Sequence, residues 1–233
     1  MTETLRLRRI VLPGVFRPRS DTWLLAQTAA GMPLRRGAEI LELCAGPALA
    51  GIAAAAAHAG TLTTVDVSMR AALNARLNGL LNGVKVRALY GDLFQAVGDR
   101  RFDLILANPP YVPGPPPPAR GTARATDAGE DGRAILDRIC ERAPAHLTPG
   151  GVLLIVHSEV CGADTTLSML DARGLRADIA ERQQGTLGPI LRARRAQLEA
   201  RGQLQPGQET EDVMVVRARR WEGTEQRWPM TTP

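Results

Sequence analysis

Apolar positions along the chain fall into two rhythms. Short, nearly unbroken runs recur at Ala38–Cys44, Thr61–Asp66, Val84–Leu89, Phe102–Ala107, Val152–Val156, Leu175–Ala180 and Asp212–Ala218, and each predicts a strand. Val152–Val156 is apolar throughout, the pattern of a strand buried on both faces. Between these runs the period lengthens to that of a helix. Helices are predicted over Leu49–His58, over the stretch after Ser68 that carries Ala71, Ala72, Ala75 and Leu80, over Arg133–Ala145 and over Thr165–Ala172. A basic helix is predicted over Ile190–Glu199, and a short mixed one around Trp23–Gln27 with Ser20 or Asp21 as its cap. Leu5–Gly14 reads as an opening strand or extended arm. Strands alternating with helices predict an α/β fold: a doubly wound, mainly parallel, seven-stranded sheet with helices on both faces.

Such a sheet binds ligands beyond the carboxyl ends of its strands. Four of those ends carry distinctive residues here: Glu42 through Gly46, Asp66, Asp92 and Asn108. After the last of them, Pro113–Pro118 forms a stiff extended loop, because proline neither continues a helix nor donates to a sheet. Thr122–Gly132 is small and polar, and is expected to be mobile. The two segments read as a lid or substrate-docking loop, or as a passive connector. The expected organisation is an arm and entry helix over 1–37, one catalytic domain over 38–220 and a flexible tail over 221–233.

Composition narrows the picture a little. The 233 residues are 44% hydrophobic and 23% charged, ordinary for a soluble globular domain, and only 3% aromatic, so the core must be aliphatic. The formal charge is +5, and Lys85 is the sole lysine. The arginines fit either nucleic acid or an acidic protein surface, or simply a solvated face; no aromatics interleave with them to stack on bases. Cys44, Cys140 and Cys161 are odd in number and lack metal-ligand spacing, and His58, His146 and His157 show none either. Reduced thiols, no metal and a cytoplasmic location are expected. The early chain has no secretory signal, and the apolar runs are too short to span a bilayer.

The chemistry converges on Asn108-Pro109-Pro110-Tyr111. A polar amide ending an apolar strand, locked by two prolines and backed by an aromatic, suits a site that grips a planar nitrogen. Asn-Pro is also ordinary turn chemistry. Gly46 allows a tight turn and close approach to a ligand. Asp66 stands where an acid binds ribose hydroxyls, a place shared with dinucleotide dehydrogenases. Asp92 can accept from the exocyclic amine of an adenine with the Leu93 amide facing the ring, or can cap a helix.

On these residues the chain resembles a class I S-adenosylmethionine-dependent methyltransferase, with its Rossmann-like fold. More narrowly it is similar to the HemK-type glutamine N5-methyltransferases that modify peptide chain release factors. The resemblance runs from about Val11 to Val216. It rests on Phe16-Arg17-Pro18-Arg19-Ser20-Asp21-Thr22, Leu41 to Gly46, Asp66, Gly91-Asp92-Leu93, Asn108-Pro109-Pro110-Tyr111 and Gly129-Glu130-Asp131-Gly132-Arg133. The resemblance does not extend to the separate N-terminal helical domain of longer bacterial members, so the chain is expected to lie nearer the short branch, whose members tend to work with a small zinc-binding activator subunit.

The resemblance implies a role for each matched residue. Glu42, Cys44, Ala45 and Gly46 would face the methionine portion of the cofactor, with Thr22 reaching it from the entry helix. Asp66, with Val67 beside it, would hold the ribose, and Asp92 with Leu93 the adenine. Asn108, also in reach of the cofactor, and the Pro109 carbonyl would hydrogen-bond the NH2 group of the substrate. Pro110 would stiffen the turn, and Tyr111 would pack on the substrate. Cys44, Pro47 and Ala48 stand where the family commonly has Gly, Ser and Gly. The implied activity is methylation of a glutamine side-chain amide in a protein such as a release factor. The same tetrapeptide serves enzymes that methylate the amino group of adenine in DNA or RNA, and a small-molecule amine also fits. The altered glycine loop leaves open a cofactor-binding module without catalysis. No membrane partner is expected.

Overall fold

The computed structural model describes residues 7–118 and 122–220. The strands are β1 (Glu39–Leu43), β2 (Thr61–Asp66), β3 (Val86–Tyr90), β4 (Phe102–Ala107), β5 (Leu147–Ser158), β6 (Leu175–Thr186) and β7 (Thr210–Arg220). The helices are α1 (Ser20–Ala30), α2 (Leu49–His58), α3 (Met69–Leu81), α4 (Leu136–His146), α5 (Ala163–Asp171), α6 (Pro189–Ala193) and α7 (Arg195–Ala200). The strands form one seven-stranded sheet in the order β3-β2-β1-β4-β5-β7-β6. The first five run parallel; β7 lies antiparallel between β5 and β6. The doubly wound, mainly parallel sheet expected from the sequence is therefore present.

Alternation within the apolar runs explains the layers. On β4, Leu104 and Leu106 face the cluster built with Leu25, Ala26 and Ala29 of α1 and the alanines of α2. Ile105 and Ala107 face the opposite cluster, with Leu136, Ile139 and Cys140 of α4 and Leu170 of α5. Strand order reverses between β1 and β4, and the crevice opens beyond their carboxyl ends. Helix α2 lies unusually close to the sheet: a Cβ added at Gly51 would sit 2.5 Å from Glu42 Oε2 and 2.6 Å from a Leu62 methyl. At the other end of α2, exposed Ala59 closes the helix with φ of 48°. Glycine takes that conformation without steric penalty, so Ala59→Gly is expected to add about 1 kcal/mol, read as a higher urea midpoint.

Several boundaries differ from expectation. Strands β5, β6 and β7 are longer than the apolar pattern indicates. The second half of β6 is exposed and polar, and its ladder to β7 carries it. The basic helix expected over Ile190–Glu199 breaks at Arg194 into α6 and α7. Helix α1 begins at Ser20 with Arg19 as its N-cap, so neither Ser20 nor Asp21 caps it. Helix α4 starts at Leu136 rather than Arg133.

The described part of the arm, from Leu7, forms no strand. It runs along α3 on a ladder of asparagines four residues apart. Asn82, Asn78 and Asn74 accept from the backbone N–H of Arg8, Ile10 and Leu12 at 3.0, 2.8 and 2.8 Å. Their amide groups donate back to the carbonyls of Arg8 and Ile10. Three side chains thus replace a neighbouring strand and deliver the chain to α1 at the mouth of the crevice. No helix among the described residues is long and apolar enough to cross a membrane. The tail over 221–233 lies outside the described residues.

Candidate active site

The turn after β1 is shaped from both sides. Asp66 at the end of β2 accepts from Gly46 N–H at 2.9 Å with one oxygen and from Ser68 N–H at 2.9 Å with the other. Ala45 N–H reaches the Val65 carbonyl at 3.3 Å. Cys44 and Ala48 hold φ of 52° and 61°, a region costly for side chains with a Cβ. The turn therefore keeps the backbone shape that suits glycine, although glycine is absent at both positions. From sequence, Glu42 is expected to face the ligand. Instead it is 3% exposed and turned onto the start of α2, where Gly51 N–H donates to it at 2.9 Å. Burial, and to a lesser extent the Asp66 charge, push its carboxyl up to about 8.

Cys44 follows β1 directly and is half-buried. Burial drives its thiol up, and the charges of Asp66 and Asp92 add to the effect. Asp92 is not an isolated acceptor: Arg138 of α4 donates to its Oδ2 at 2.6 Å, with both side chains 42% exposed. Such a half-exposed pair contributes at most about 1 kcal/mol. Leu93 follows, buried, with φ of 46°. Val67 sits half-buried after Asp66.

The tetrapeptide is held from the entry helix. Tyr111 donates its hydroxyl to Asp21 Oδ2 at 3.0 Å. Burial, then the Asp21 carboxylate, hold the phenol well above its ordinary range, so it stays protonated as a donor. Asp21 Oδ1 accepts from the Thr22 N–H at 2.6 Å and from the Thr22 hydroxyl at 3.2 Å. Asn108 Nδ2 donates to the Thr22 oxygen at 3.4 Å. Among the described residues, neither Asn108 Oδ1 nor the Pro109 carbonyl accepts a hydrogen bond. Two open acceptors therefore stand next to each other in the chain, where β4 meets the crevice. Pro109 is buried and Pro110 half-buried.

The glycine-rich stretch after the loop buttresses Tyr111. Gly132 has φ of 76°, and a Cβ added there would lie 2.4 Å from the Tyr111 carbonyl and 2.8 Å from Cys161 Sγ. That thiol donates to the same carbonyl at 2.8 Å. Buried Arg133 ties the stretch to the start of α5 through the carbonyls of Cys161 and Gly162 and the Thr166 hydroxyl. Gly132→Ala is expected to cost about 1–3 kcal/mol, from backbone strain plus displacement of Tyr111, measured by urea unfolding.

The segment expected to be mobile is fastened in its described parts. Arg194, at the break between α6 and α7, donates to the Pro113 carbonyl at 2.9 Å and pairs with Asp127 at 2.8 Å. Val112 N–H donates to the Thr126 carbonyl, and Val112 packs on Leu187, Leu191 and Leu198.

Four contributors have no site role assigned from sequence: Arg138 and Cys161, and also Asp21 and Arg133, although these two lie in stretches that carry the family resemblance. Asp21 is assigned there only as a cap, since nothing local indicates that its carboxylate reaches Tyr111. As a unit, the rim offers carboxylates at the ends of β2 and β3, a tight turn after β1 and two acceptors, neighbours in the chain, at the end of β4. It can hold a polar ligand along three strand ends and present an NH2 group to it.

This α/β domain with its rim is that of a methyltransferase. The chain belongs to the methyltransferase small domain family, whose family model matches residues 10–173. A protein of Methanocaldococcus jannaschii, provisionally named a protein N5-glutamine methyltransferase, is 34% identical over 172 residues, covering 73% of this chain and 85% of that protein. A release factor glutamine methyltransferase of Geobacter sulfurreducens is 34% identical, over 71% of this chain and 60% of that protein. A ribosomal protein uL3 glutamine methyltransferase of Bradyrhizobium diazoefficiens is 40% identical over 49% of this chain, which is 39% of that protein. The chain thus spans less than two thirds of those two relatives. Among solved structures, a methyltransferase from Pyrococcus furiosus shares the fold with a TM-score of 0.61 at 17% identity, over 92% of this chain and 90% of that one. A chain of the E. cuniculi Mtq2–Trm112 complex, responsible for methylation of the eRF1 translation termination factor, shares it with a TM-score of 0.61 at 20% identity, over 89% and 99%.

Proposed function

We propose that the protein is an S-adenosylmethionine-dependent N-methyltransferase acting on a glutamine side-chain amide of a protein of the release factor type. One observation carries this reading: the paired open acceptors, Asn108 Oδ1 and the Pro109 carbonyl, match the two hydrogens of a planar NH2 group. Relatives named for glutamine methylation of release factors and of a ribosomal protein support the acceptor class.

The rim fits the cofactor. The turn after β1 keeps a glycine-like backbone at Cys44 and Ala48. Among the described residues, an added Cβ at Gly46 would meet only Phe16, at 3.8 Å, so a ligand can approach the backbone there. Asp66, at the end of β2, serves the ribose as a carboxylate acceptor. Asp92 and Leu93 serve the adenine, with Arg138 holding the carboxylate. Cys44, Ala45, Gly46 and Val67 line the path between, and Thr22 closes it from α1. Glu42 acts indirectly, by fixing α2 and the turn. In this division residues 1–37 bring Asp21 and Thr22 to the domain over 38–220.

When bound, S-adenosylmethionine supplies an electrophilic methyl group on a sulfonium. The task of the protein is orientation. An amide nitrogen is a poor nucleophile because its lone pair is delocalised into the carbonyl. Asn108 Oδ1 and the Pro109 carbonyl accept its two hydrogens, fix the plane of the amide and favour positive charge developing on nitrogen. Pro110 and the buttressed Tyr111 keep both acceptors in place.

Two measurements test this. Calorimetry showing no binding of S-adenosylmethionine would remove the reading at its base. With binding established, labelled cofactor is incubated with a release factor and, separately, with RNA and DNA. Label is expected on a glutamine; label on nucleic acid alone would refute the protein acceptor. Transfer by the chain alone would show that no activator subunit is required.

A further inference from the structure

We propose that Asp21 is the positioning residue of the site, setting which way the Asn108 amide faces; the inference rests on the functional reading above. A threonine hydroxyl carries one hydrogen. Thr22 gives its hydrogen to Asp21 Oδ1 at 3.2 Å, so its oxygen can only accept. It accepts from the Arg19 N–H and from Asn108 Nδ2, each at 3.4 Å. An Asn108 amide that donates to Thr22 turns its Oδ1 away, toward the acceptor NH2 group. The direction of one proton at Asp21 thus decides whether Asn108 presents an acceptor or a donor to the substrate.

The second oxygen of Asp21 completes the device. It accepts from the Tyr111 hydroxyl at 3.0 Å, so one carboxylate holds Tyr111 directly and Asn108 by way of Thr22. Asp21 and Thr22 are only 5% and 7% exposed, which leaves little room for water to substitute. Without the carboxylate, the Thr22 hydroxyl is free to donate to Asn108 Oδ1. The amide then turns and sets its own NH2 against that of the substrate, donor facing donor.

The test is a double-mutant cycle read in single-turnover methyl transfer, with calorimetry for the cofactor. Asp21→Ala is expected to lower kcat about 30-fold, while KM for the acceptor protein and Kd for S-adenosylmethionine stay within about twofold. Asp21→Asn keeps an oxygen for both Thr22 donors and is expected to recover to within about fivefold of wild type. Because Asp21 acts chiefly through Asn108, most of the Asp21→Ala factor should vanish in the Asn108→Ala background, leaving at most the small part carried by Tyr111. A double variant slower by the full Asp21→Ala factor would overturn the assignment, as would an equal loss of cofactor affinity. If alanine prevents folding, Asp21→Ser carries the same cycle with a short polar group retained. Wild-type transfer by Asn108→Ala would defeat the functional reading itself. A large loss in Asn108→Ala with none in Asp21→Ala would defeat only the role of Asp21.

Discussion

Asn108→Ala is expected to slow methyl transfer by about 10²–10³-fold and leave the Kd for S-adenosylmethionine within about twofold. The expectation follows from what the side chain does. Its oxygen takes one of two hydrogens on the amide to be methylated, and that bond strengthens as the nitrogen loses electron density. The interaction belongs mainly to the transition state, so its removal falls on kcat more than on binding. The Pro109 carbonyl remains, because it belongs to the backbone, which is why some transfer should survive. Single-turnover assays with a release factor as acceptor, beside calorimetry of the cofactor, separate the two effects. Equal losses in both would mean that Asn108 serves the cofactor and not the acceptor.

The parts of this site that were legible in the sequence are those set by local pattern. Phe102–Ala107 is an apolar run ended by a polar amide, and the sheet rule then puts Asn108 on the same rim as Asp66 and Asp92. The parts that were not legible depend on distant partners. Asp21 looks like a capping residue because its neighbours Ser20 and Thr22 suit a helix start; only the tertiary fold brings Tyr111 to it. The arm was ambiguous because its partner is the spacing of Asn74, Asn78 and Asn82, a polar face of α3 with no apolar signal. The ends of β6 escaped for the same reason: Arg182, Gln183 and Gln184 pair with β7 through backbone groups, without burying side chains. Glu42 stands at the expected strand end, with its carboxylate buried and bonded to the Gly51 N–H of α2. An acid beside a glycine turn resembles a ligand contact, and only the packing of Gly51 against β1 shows that it faces the helix.

That buried acid gives the largest expected effect on stability, through pH. Glu42 has its carboxyl raised from 4.5 to about 8 in the fold. The contribution of a raised acid is fully present below its unfolded value and is lost as pH climbs through the folded one. His157 works in the opposite sense. Its ring is buried beside the Ser158 carbonyl, and burial lowers it from 6.5 to about 4. Its contribution is present above 6.5 and lost as pH falls through about 4. Between about 4.5 and 6.5 the two slopes oppose each other. Above 6.5 histidine no longer matters, and the buried thiols, raised above their ordinary value near 9, do not yet act. From pH 6.5 to 8 Glu42 therefore dominates among these groups, and stability should fall by about 2 kcal/mol. Glu42→Gln keeps an oxygen for the Gly51 N–H but cannot ionise, so its urea midpoint should stay flat over that window. A decline in the glutamine variant as steep as in the wild type would show that the charge on Glu42 is not what α2 and the turn it anchors respond to.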